Sequence, residues 1–176
     1  MRVNNAKKEL LSIGHSNKSI DQFISELKDF GIEVLIDVRS KPYSRRFSHF
    51  NKGSLKRYLE SAGIKYVYLG DLLGGLPDDP SCYTNGKVDY DKLRKKDYFR
   101  EGIEFLKEIF SSGTRAVIMC SEGNPARCHR ALLIGVELFK EGIELQHIVV
   151  HNGGLKVKSQ AEVMQEAFPR GTRSLF

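Results

Sequence analysis

Five short apolar runs alternate with longer amphipathic segments, and this alternation constrains the fold of the chain more than any other feature. The runs are ELLSIG (9–14), EVLIDV (33–38), KYVYLG (65–70), RAVIMC (115–120) and LQHIVV (145–150). Strands that are apolar on both faces are typical of a parallel sheet covered by helices on both sides. The pattern predicts an α/β fold: a single-domain, three-layer, doubly wound, Rossmann-like and mostly parallel sheet of about five strands.

The segments between the apolar runs carry helix signals. Ser19 is placed to cap a helix whose apolar residues recur at helical spacing until Gly31. Further helices are predicted from Gly53 or Ser54 to Gly63, over 98–110, over 131–139 and over 160–168. The stretch 70–88 is rich in Gly, Pro, Asp and Asn, which predicts a long loop, and such loops often act as lids or binding loops.

The length and composition limit the class of protein. A chain of 176 residues fits one domain, here 1–176 with its core over about 9–150. It holds no run of about 18 apolar residues, so no membrane span is predicted, and the N-terminal apolar stretch is too short for a signal peptide. We therefore predict a cytoplasmic protein whose cysteines, Cys82, Cys120 and Cys128, stay reduced.

The positive charge is concentrated in one interval. The net charge is +6, yet no acidic residue lies between Asp37 and Glu60, while seven Lys or Arg residues do. A local field of this sign favours an anionic partner, either a small molecule or nucleic acid. A solvated loop with scattered cations is the alternative interpretation.

Polar residues directly follow three of the predicted strands. Parallel α/β sheets bind ligands at the carboxyl ends of their strands, at a topological switch point. A strand order of 3-2-1-4-5 would place the first strand beside the fourth and bring these residues to one pocket. The residues are His15, Ser16, Asp37, Arg39, Cys120 and Glu122.

The segment CSEGNPARCHR (120–130) is the predicted functional centre. Pro125 suits the first position of a helix and Asn124 suits its cap, so free backbone amides nearby favour an anion and a thiolate at Cys120. Six residues separate Cys120 from Arg127, one more than in cysteine-dependent phosphatases, which disfavours that assignment. Packing of Cys120 as a small buried hydrophobe is the alternative.

The two arginines of this segment are predicted to bind the anion. Arg127 and Arg130 lie three residues apart, a spacing that places them on one helix face, and forked guanidiniums bind phosphate well. An internal brace to Asp37 or Glu122 is the alternative. Cys128, between them, is predicted to pack inward.

Each of the remaining candidate site residues has both a functional and a purely structural interpretation. His15 is a candidate general acid or base, or a loop histidine bonded to backbone. Asp37 and Glu122 are candidate catalytic carboxylates, or parts of a salt-bridge scaffold. For Asp37 the partner in such a scaffold would be Arg39, Arg45 or Arg130. Gly74 and Gly75 allow a ligand to approach the backbone, or simply form a turn.

A zinc site is a further interpretation of these residues. Cys120, Cys128, His129 and His15 carry thiolate and imidazole donors, but their spacing lacks the paired CxxC pattern. The sequence therefore predicts no metal and no cofactor.

Several motifs in fixed order resemble the DUF488 family, a set of small cytosolic proteins without an assigned function. The motifs are SIGHS (12–16), LIDVRSKPYSR (35–45), GIKYVYLGDLLGG (63–75), MCSEGNPARCHR (119–130) and HIV (147–149). The resemblance implies an α/β domain with a site around the family pattern of Cys120, Glu122, Pro125, Cys128, His129 and Arg130. It implies no reaction.

Two functional hypotheses follow. The first is a hydrolase or transferase that acts on a phosphate-bearing substrate, a nucleotide or nucleic acid, with Cys120, Glu122, Asp37 and His15 as catalytic residues. Its substrate-binding residues would be Ser16, Arg39, Arg45, Gly74, Gly75, Arg127 and Arg130. The alternative is a non-catalytic nucleic-acid-binding module that uses the basic loop 39–57, with Tyr43, Phe47 and Phe50 as stacking groups.

Overall fold

A six-stranded sheet forms the centre of the structure, a computed structural model that describes residues 7–170. A separate two-stranded hairpin, made of β4 and β5, lies outside this sheet in the described part of the chain. In chain order the strands are β1 (Leu10–Gly14), β2 (Val34–Asp37), β3 (Lys65–Tyr68), β4 (Tyr83–Thr84), β5 (Lys87–Val88), β6 (Ala116–Cys120), β7 (Gln146–His151) and β8 (Gly154–Ser159).

Helices connect the strands. They are α1 (Ile20–Asp29), α2 (Lys52–Ser61), α3 (Gly70–Leu73), α4 (Tyr90–Leu93), α5 (Asp97–Ser112), α6 (Val136–Lys140) and α7 (Gln160–Ala167). Short 3₁₀ turns occupy 48–50, 80–82 and 125–127, and a π-helix over 130–135 runs directly into α6. As predicted, Ser19 caps α1, because its hydroxyl accepts a hydrogen bond from the Gln22 amide at 3.1 Å.

The apolar strands divide the core into two clusters, one on each face of the sheet. Along β6, Ala116 and Ile118 pack in the cluster that α5 covers, whereas Val117 and Met119 pack in the cluster that α1 and α2 cover. This alternation follows from the two-residue period of a strand. The predicted α/β architecture, a mostly parallel sheet with helices on both faces, is confirmed.

The order of the strands differs from the prediction. The sheet runs β3-β2-β6-β1-β7-β8, so the fourth predicted strand, β6, lies between β2 and β1, and the order 3-2-1-4-5 is wrong. β6 nevertheless pairs with β1 in parallel register, from Leu10 opposite Ala116 to Gly14 opposite Cys120. After β1 the chain continues to β2, and after β6 it continues to β7, and these two destinations lie on opposite sides of the β6–β1 pair. The carboxyl ends of β1 and β6 are therefore the switch point of the sheet.

Two hairpins that were not predicted are built on Asn-Gly turns. Asn85 and Gly86 join β4 to β5, and Asn152 and Gly153 join β7 to the antiparallel strand β8. All four residues have positive φ angles, 51° and 75° in the first turn and 50° and 77° in the second. Asn-Gly pairs favour such two-residue hairpins, so β8 and the ordered elements within 70–88 had a readable sequence signal.

A buried chain of hydrogen bonds ties β1 and β7 to the π-helix. His147 lies between the Ser12 hydroxyl, at 2.6 Å from Nδ1, and the Gln160 side-chain oxygen, at 2.8 Å from Nε2. The Gln160 amide donates in turn to the Ala131 carbonyl at 2.9 Å. A Cβ atom on Gly135 would lie 2.2 Å from the Gln160 oxygen, so only glycine admits this contact.

Among the described residues, no helix combines the length and the apolar character that a membrane crossing requires.

The stability of the protein is expected to fall in mild acid because His147 is buried. Burial lowers the pKa of His147 to about 4, whereas an unfolded chain binds the proton near its ordinary value. As the pH falls from about 6.5 to about 4, the unfolded state therefore binds a proton at this histidine and the folded state does not. This difference lowers the free energy of unfolding by up to about 1.4 kcal/mol per pH unit.

Urea unfolding followed by circular dichroism over this pH range measures the effect. His147→Gln should flatten the decline of the free energy of unfolding, while His151→Gln, at an exposed position on the same strand, should leave the slope as it is. Equal slopes in all three proteins would contradict the assignment to His147.

Candidate functional site

A pocket of about 790 Å³ lies at the carboxyl ends of β1, β2 and β6. Its lining comes from the turn after β1 (15–17), the segment after β2 (39–47), Gly75 and Leu76, Tyr90, and the loop after β6 (120–129). The pocket thus opens at the switch point of the sheet. Of the residues predicted from the strand ends, it brings together His15, Ser16, Arg39, Cys120 and Glu122, while Asp37 lies outside the described lining.

The pairing of β1 with β6 continues past the strands and positions the floor of the pocket. The His15 amide donates to the Cys120 carbonyl and the Ser16 amide to the Ser121 carbonyl, both at 3.0 Å. Ser16 has a φ of 48°, a left-handed conformation that non-glycine residues adopt rarely and often at functional sites. A Cβ atom on Gly14 would lie 2.0 Å from the Glu122 carbonyl oxygen, so the loop after β6 crosses directly over β1.

Two cysteines and a histidine converge on the floor of the pocket. The His129 Nδ1 atom lies 3.9 Å from the Cys120 sulfur and 3.7 Å from the Cys128 sulfur. The Nε2 atom lies 3.0 Å from the Val38 carbonyl oxygen, which can only accept, so Nε2 carries a hydrogen and Nδ1 faces the two sulfurs. A Cβ atom on Gly75 would lie 2.8 Å from the ring, so this glycine lets the loop after α3 approach His129.

The pKa values of Cys120 and Cys128, the two cysteines at the floor of the pocket, are shifted in opposite directions. A hydrogen bond from Cys128, contacts with His129 and the charge of Arg130 lower the pKa of Cys120 well below its ordinary range, against the effect of burial. Donating that bond raises the pKa of Cys128, and burial raises it further. Cys120, 9% exposed, is therefore the thiol whose environment favours ionisation, and Cys128, 3% exposed, is its hydrogen-bond donor.

Arg130 is fully buried behind this floor. Its Nη1 atom donates to the carbonyls of Ile13, at 2.9 Å, and Glu122, at 2.8 Å, and so joins the end of β1 to the loop after β6. Its Nε and Nη2 atoms have no hydrogen-bond partner among the described residues, and no described acid pairs with it. The positive charge is available to the thiolate because nothing else in the described structure neutralises it.

Arg127 and Arg130 do not share a helix face, contrary to the prediction. Asn124 caps a turn as expected, with its side chain accepting from the Ala126 amide at 3.0 Å, but that 3₁₀ turn ends after Arg127. Cys128 is extended, with φ −122° and ψ 143°, and the helix begins again at Arg130. Arg127 is consequently exposed on the wall of the pocket, and Arg130 lies beneath its floor.

Asp37 forms a brace with Arg39 in the core. The guanidinium donates to both carboxylate oxygens, at 2.9 and 2.7 Å, and the Tyr66 hydroxyl donates to the second oxygen at 2.7 Å. Arg39 also donates to the Phe50 carbonyl at 2.8 Å. Asp37 is fully buried with both oxygens occupied, so the structure assigns it to holding Arg39, the scaffold alternative of the sequence analysis.

His15 is held neutral beside Arg39. Its Nδ1 atom donates to the Ser16 carbonyl at 2.8 Å, and its Nε2 atom lies 3.3 Å from Arg39 Nη1. The ring stacks on Phe50 with its centroid 4.1 Å away. Burial and then the charge of Arg39 lower the pKa of His15 to about 4. At neutral pH this histidine therefore accepts a hydrogen bond from Arg39 and helps to orient it.

The remaining predicted residues divide between the rim and the surroundings. Glu122 is exposed at the rim, where its carboxylate accepts a hydrogen bond from the Asn124 amide at 2.9 Å. Gly74 lies outside the described lining, and a Cβ atom there would come 2.1 Å from the Ser40 hydroxyl. Arg45 is exposed and lies outside the described lining, whereas its neighbour Arg46 contributes to the lining.

Several lining residues were missed as site residues from the sequence. They are Asn17, Ser40, Lys41, Ser44, Arg46, Leu76, Tyr90, Ser121 and Gly123. The basic interval signalled Lys41 and Arg46, since both belong to it. Tyr90 carried no local signal, because only the packing of α4 brings it to the pocket. Burial, followed by the proximity of the cysteines, raises the pKa of Tyr90.

A family model covers most of the residues that build this site. The model of a domain of unknown function, DUF488, matches residues 19–136, about two thirds of the chain. The chain belongs to the DUF488 family. No curated protein matches it. The match includes every pocket residue from Arg39 to His129, whereas the turn after β1 in this DUF488 protein lies just before it.

The geometry of this DUF488 site supports two kinds of chemistry. A thiolate that faces a pocket and lies beside a buried cation is an activated nucleophile. Two sulfurs and an imidazole nitrogen within 4.8 Å of one another are also able to hold a metal ion. In both cases Cys128 and His129 are the immediate neighbours of the Cys120 sulfur.

The close approach of Gly75 to His129 makes this glycine essential to the site. Gly75→Ala should destabilise the fold by about 1–3 kcal/mol, because the added methyl group would overlap the buried ring or displace it. Gly53→Ala is the matched control, since a Cβ atom there has no atom within 4 Å and lies in the first turn of α2. Chemical denaturation measures both changes. A loss of stability at Gly53 as large as that at Gly75 would contradict the steric explanation.

Proposed function

We propose that this protein is an enzyme that binds a phosphate-bearing substrate, a nucleotide or nucleic acid, in the strand-end pocket and uses Cys120 as its nucleophile. The observation that carries the proposal is the position of the Cys120 sulfur on the floor of a cationic pocket. Among the described lining residues, Arg39, Lys41, Arg46 and Arg127 are cationic, and Glu122 is the one acid.

Three of these cations are available to a ligand. Lys41, Arg46 and Arg127 are exposed, and none of them forms an ion pair with another described residue. The fourth, Arg39, is committed to Asp37. Guanidiniums bind phosphate oxygens in a bidentate manner, so Arg46 and Arg127 are the residues we expect to hold the anionic group above Cys120.

The proposed reaction begins with attack by the Cys120 sulfur. The thiolate donates an electron pair to the electrophilic atom of the substrate, and the leaving group departs with the electrons of the broken bond and takes a proton from solvent. Transfer of the covalently held group to water makes the enzyme a hydrolase, and transfer to a second substrate makes it a transferase. Cys128, as a thiol, stabilises the sulfur whenever it is anionic.

Alkylation of Cys120 by iodoacetamide at neutral pH tests the proposal in protein freed of metal by a chelator. Cys120 should react faster than a free thiol, because its environment favours the thiolate. Inorganic phosphate should slow the reaction, and Arg127→Ala should weaken that protection. Cys82→Ser is the matched control, since Cys82 is fully buried and lies outside the described pocket lining.

Turnover of nucleotides and oligonucleotides gives the second measurement. Cys120→Ser should abolish any hydrolysis or transfer that the wild type and Cys82→Ser share. If Cys120 reacts no faster than a free thiol and Cys120→Ser retains every activity found, nucleophilic catalysis by Cys120 is excluded.

A second candidate function, binding of single-stranded nucleic acid, is favoured by Tyr43. Its side chain is 70% exposed at the pocket and follows Lys41 closely in the chain, with Arg46 over the ring of Phe47 nearby. Aromatic and cationic side chains together form the usual platform for unpaired bases. Phe50, predicted as a stacking group, is fully buried against His15 and is not available to a base.

Tyr43→Ala should weaken binding of a short single-stranded oligonucleotide by about 5- to 150-fold, the equivalent of about 1–3 kcal/mol for one stacked base. Tyr58→Ala, at a partly exposed tyrosine on α2, serves as the control. Fluorescence anisotropy at low and at physiological salt measures the affinity, which should fall steeply with salt. Absence of binding at low salt would remove this second function.

A further inference from the structure

We infer that Cys120, Cys128 and His129 form a binding site for Zn²⁺, and that zinc there competes with the nucleophilic chemistry of Cys120. The site itself stands on the geometry of the three side chains. Its regulatory consequence rests on the proposed function. The spacing of the cysteines in the sequence disfavours zinc, and the inference comes from the folded arrangement alone.

The distances match tetrahedral coordination. With a Zn–N bond of about 2.05 Å and Zn–S bonds of about 2.3 Å, a tetrahedral ion separates nitrogen and sulfur ligands by about 3.6 Å. The His129 Nδ1 atom lies 3.7 Å from one sulfur and 3.9 Å from the other. All three ligand atoms lie within 4.8 Å of one another, so a metal ion requires only small side-chain shifts.

His129 is oriented in advance for this role. Metal-binding histidines usually donate their second ring N–H to a carbonyl or a carboxylate, which fixes the tautomer and aims the other nitrogen at the metal. The Nε2 atom of His129 makes this contact with the Val38 carbonyl at 3.0 Å. Gly75 packs against the same ring, where a Cβ atom would approach to 2.8 Å, and this close packing restricts its rotation.

The donor set selects the metal. Two thiolates and an imidazole are soft or borderline ligands, which suit Zn²⁺ and do not suit Mg²⁺ or Ca²⁺. His15, the fourth candidate ligand from the sequence, is committed to Ser16 and Arg39 and does not belong to the cluster. Three protein ligands on the floor of a pocket leave the fourth position of the ion facing the pocket, where water or an anion completes the coordination.

Binding of zinc has a defined consequence for Cys120. The ion forms bonds to both sulfurs and to Nδ1, the aqueous ion loses water ligands, and the proton of Cys128 passes to solvent. The electron pair that Cys120 would use for attack is then shared with the metal. The site therefore has two exclusive states, a free thiolate that reacts and a zinc thiolate that does not, and zinc is an inhibitor of the proposed reaction.

Titration of metal-free protein with Co²⁺ and Zn²⁺ tests the site. Co²⁺ should give sulfur-to-cobalt charge-transfer bands and the intense visible bands of a tetrahedral site at one equivalent, and Zn²⁺ should displace it. Loss of an orienting contact alone costs about 10- to 100-fold in metal affinity, so Cys128→Ser should cost more than about 100-fold. Cys82→Ser should bind as the wild type does. His129→Gln provides a second ligand variant. Because Cys128 and His129 are both buried, circular dichroism is used to confirm that each variant is folded.

Alkylation separates this inference from the proposed function. Zn²⁺ should protect Cys120 from iodoacetamide in the wild type and not in Cys128→Ser. If metal-free Cys120 is reactive and protected by phosphate while no stoichiometric Co²⁺ site forms, the zinc site is wrong and the proposed function stands. If Co²⁺ binds with thiolate bands while metal-free Cys120 is unreactive, the zinc site stands and the nucleophile is wrong. Equal metal affinity in the wild type, Cys128→Ser and His129→Gln would overturn the inference.

Discussion

The parallel pairing of β1 with β6 is the interaction on which the site depends. It continues beyond the strands through hydrogen bonds donated by the amides of His15 and Ser16. Arg130 adds hydrogen bonds to the carbonyls of Ile13 and Glu122. These bonds hold the loop after β6 against the turn after β1. The sulfur of Cys120 consequently has a fixed position in the crevice that opens at the switch point of the sheet.

Two buried arginines near this crevice have opposite roles because their partners differ. Arg39 is neutralised by Asp37 in a bidentate pair, and its remaining donors reach Phe50 and His15. That pair is part of the scaffold. Arg130 bonds only to carbonyls among the described residues, so its charge acts on the cysteines instead. Burial of a cation without an acid costs stability, and here it favours an anionic sulfur.

Much of the fold and part of the candidate site were predictable from local patterns. The apolar runs predicted the parallel strands, and Ser19 and Asn124 cap the elements that they were expected to cap. The position of polar residues after the strands indicated Cys120 and Ser16 as pocket residues. The Asn-Gly turns that form β4–β5 and β7–β8 were equally readable, because positive φ angles at both central positions are a local property.

The sequence by itself determined the layers of the fold and the edge of the sheet where polar side chains collect, since both follow from periodicity and from the common direction of parallel strands. Only the tertiary structure decided which strands are neighbours, because strands that are apolar on both faces carry no local record of their partners. It also decided that Asp37 belongs to Arg39. Finally, it brought His129 between Cys120 and Cys128, because the extended backbone at Cys128 breaks the helix that the spacing had predicted there.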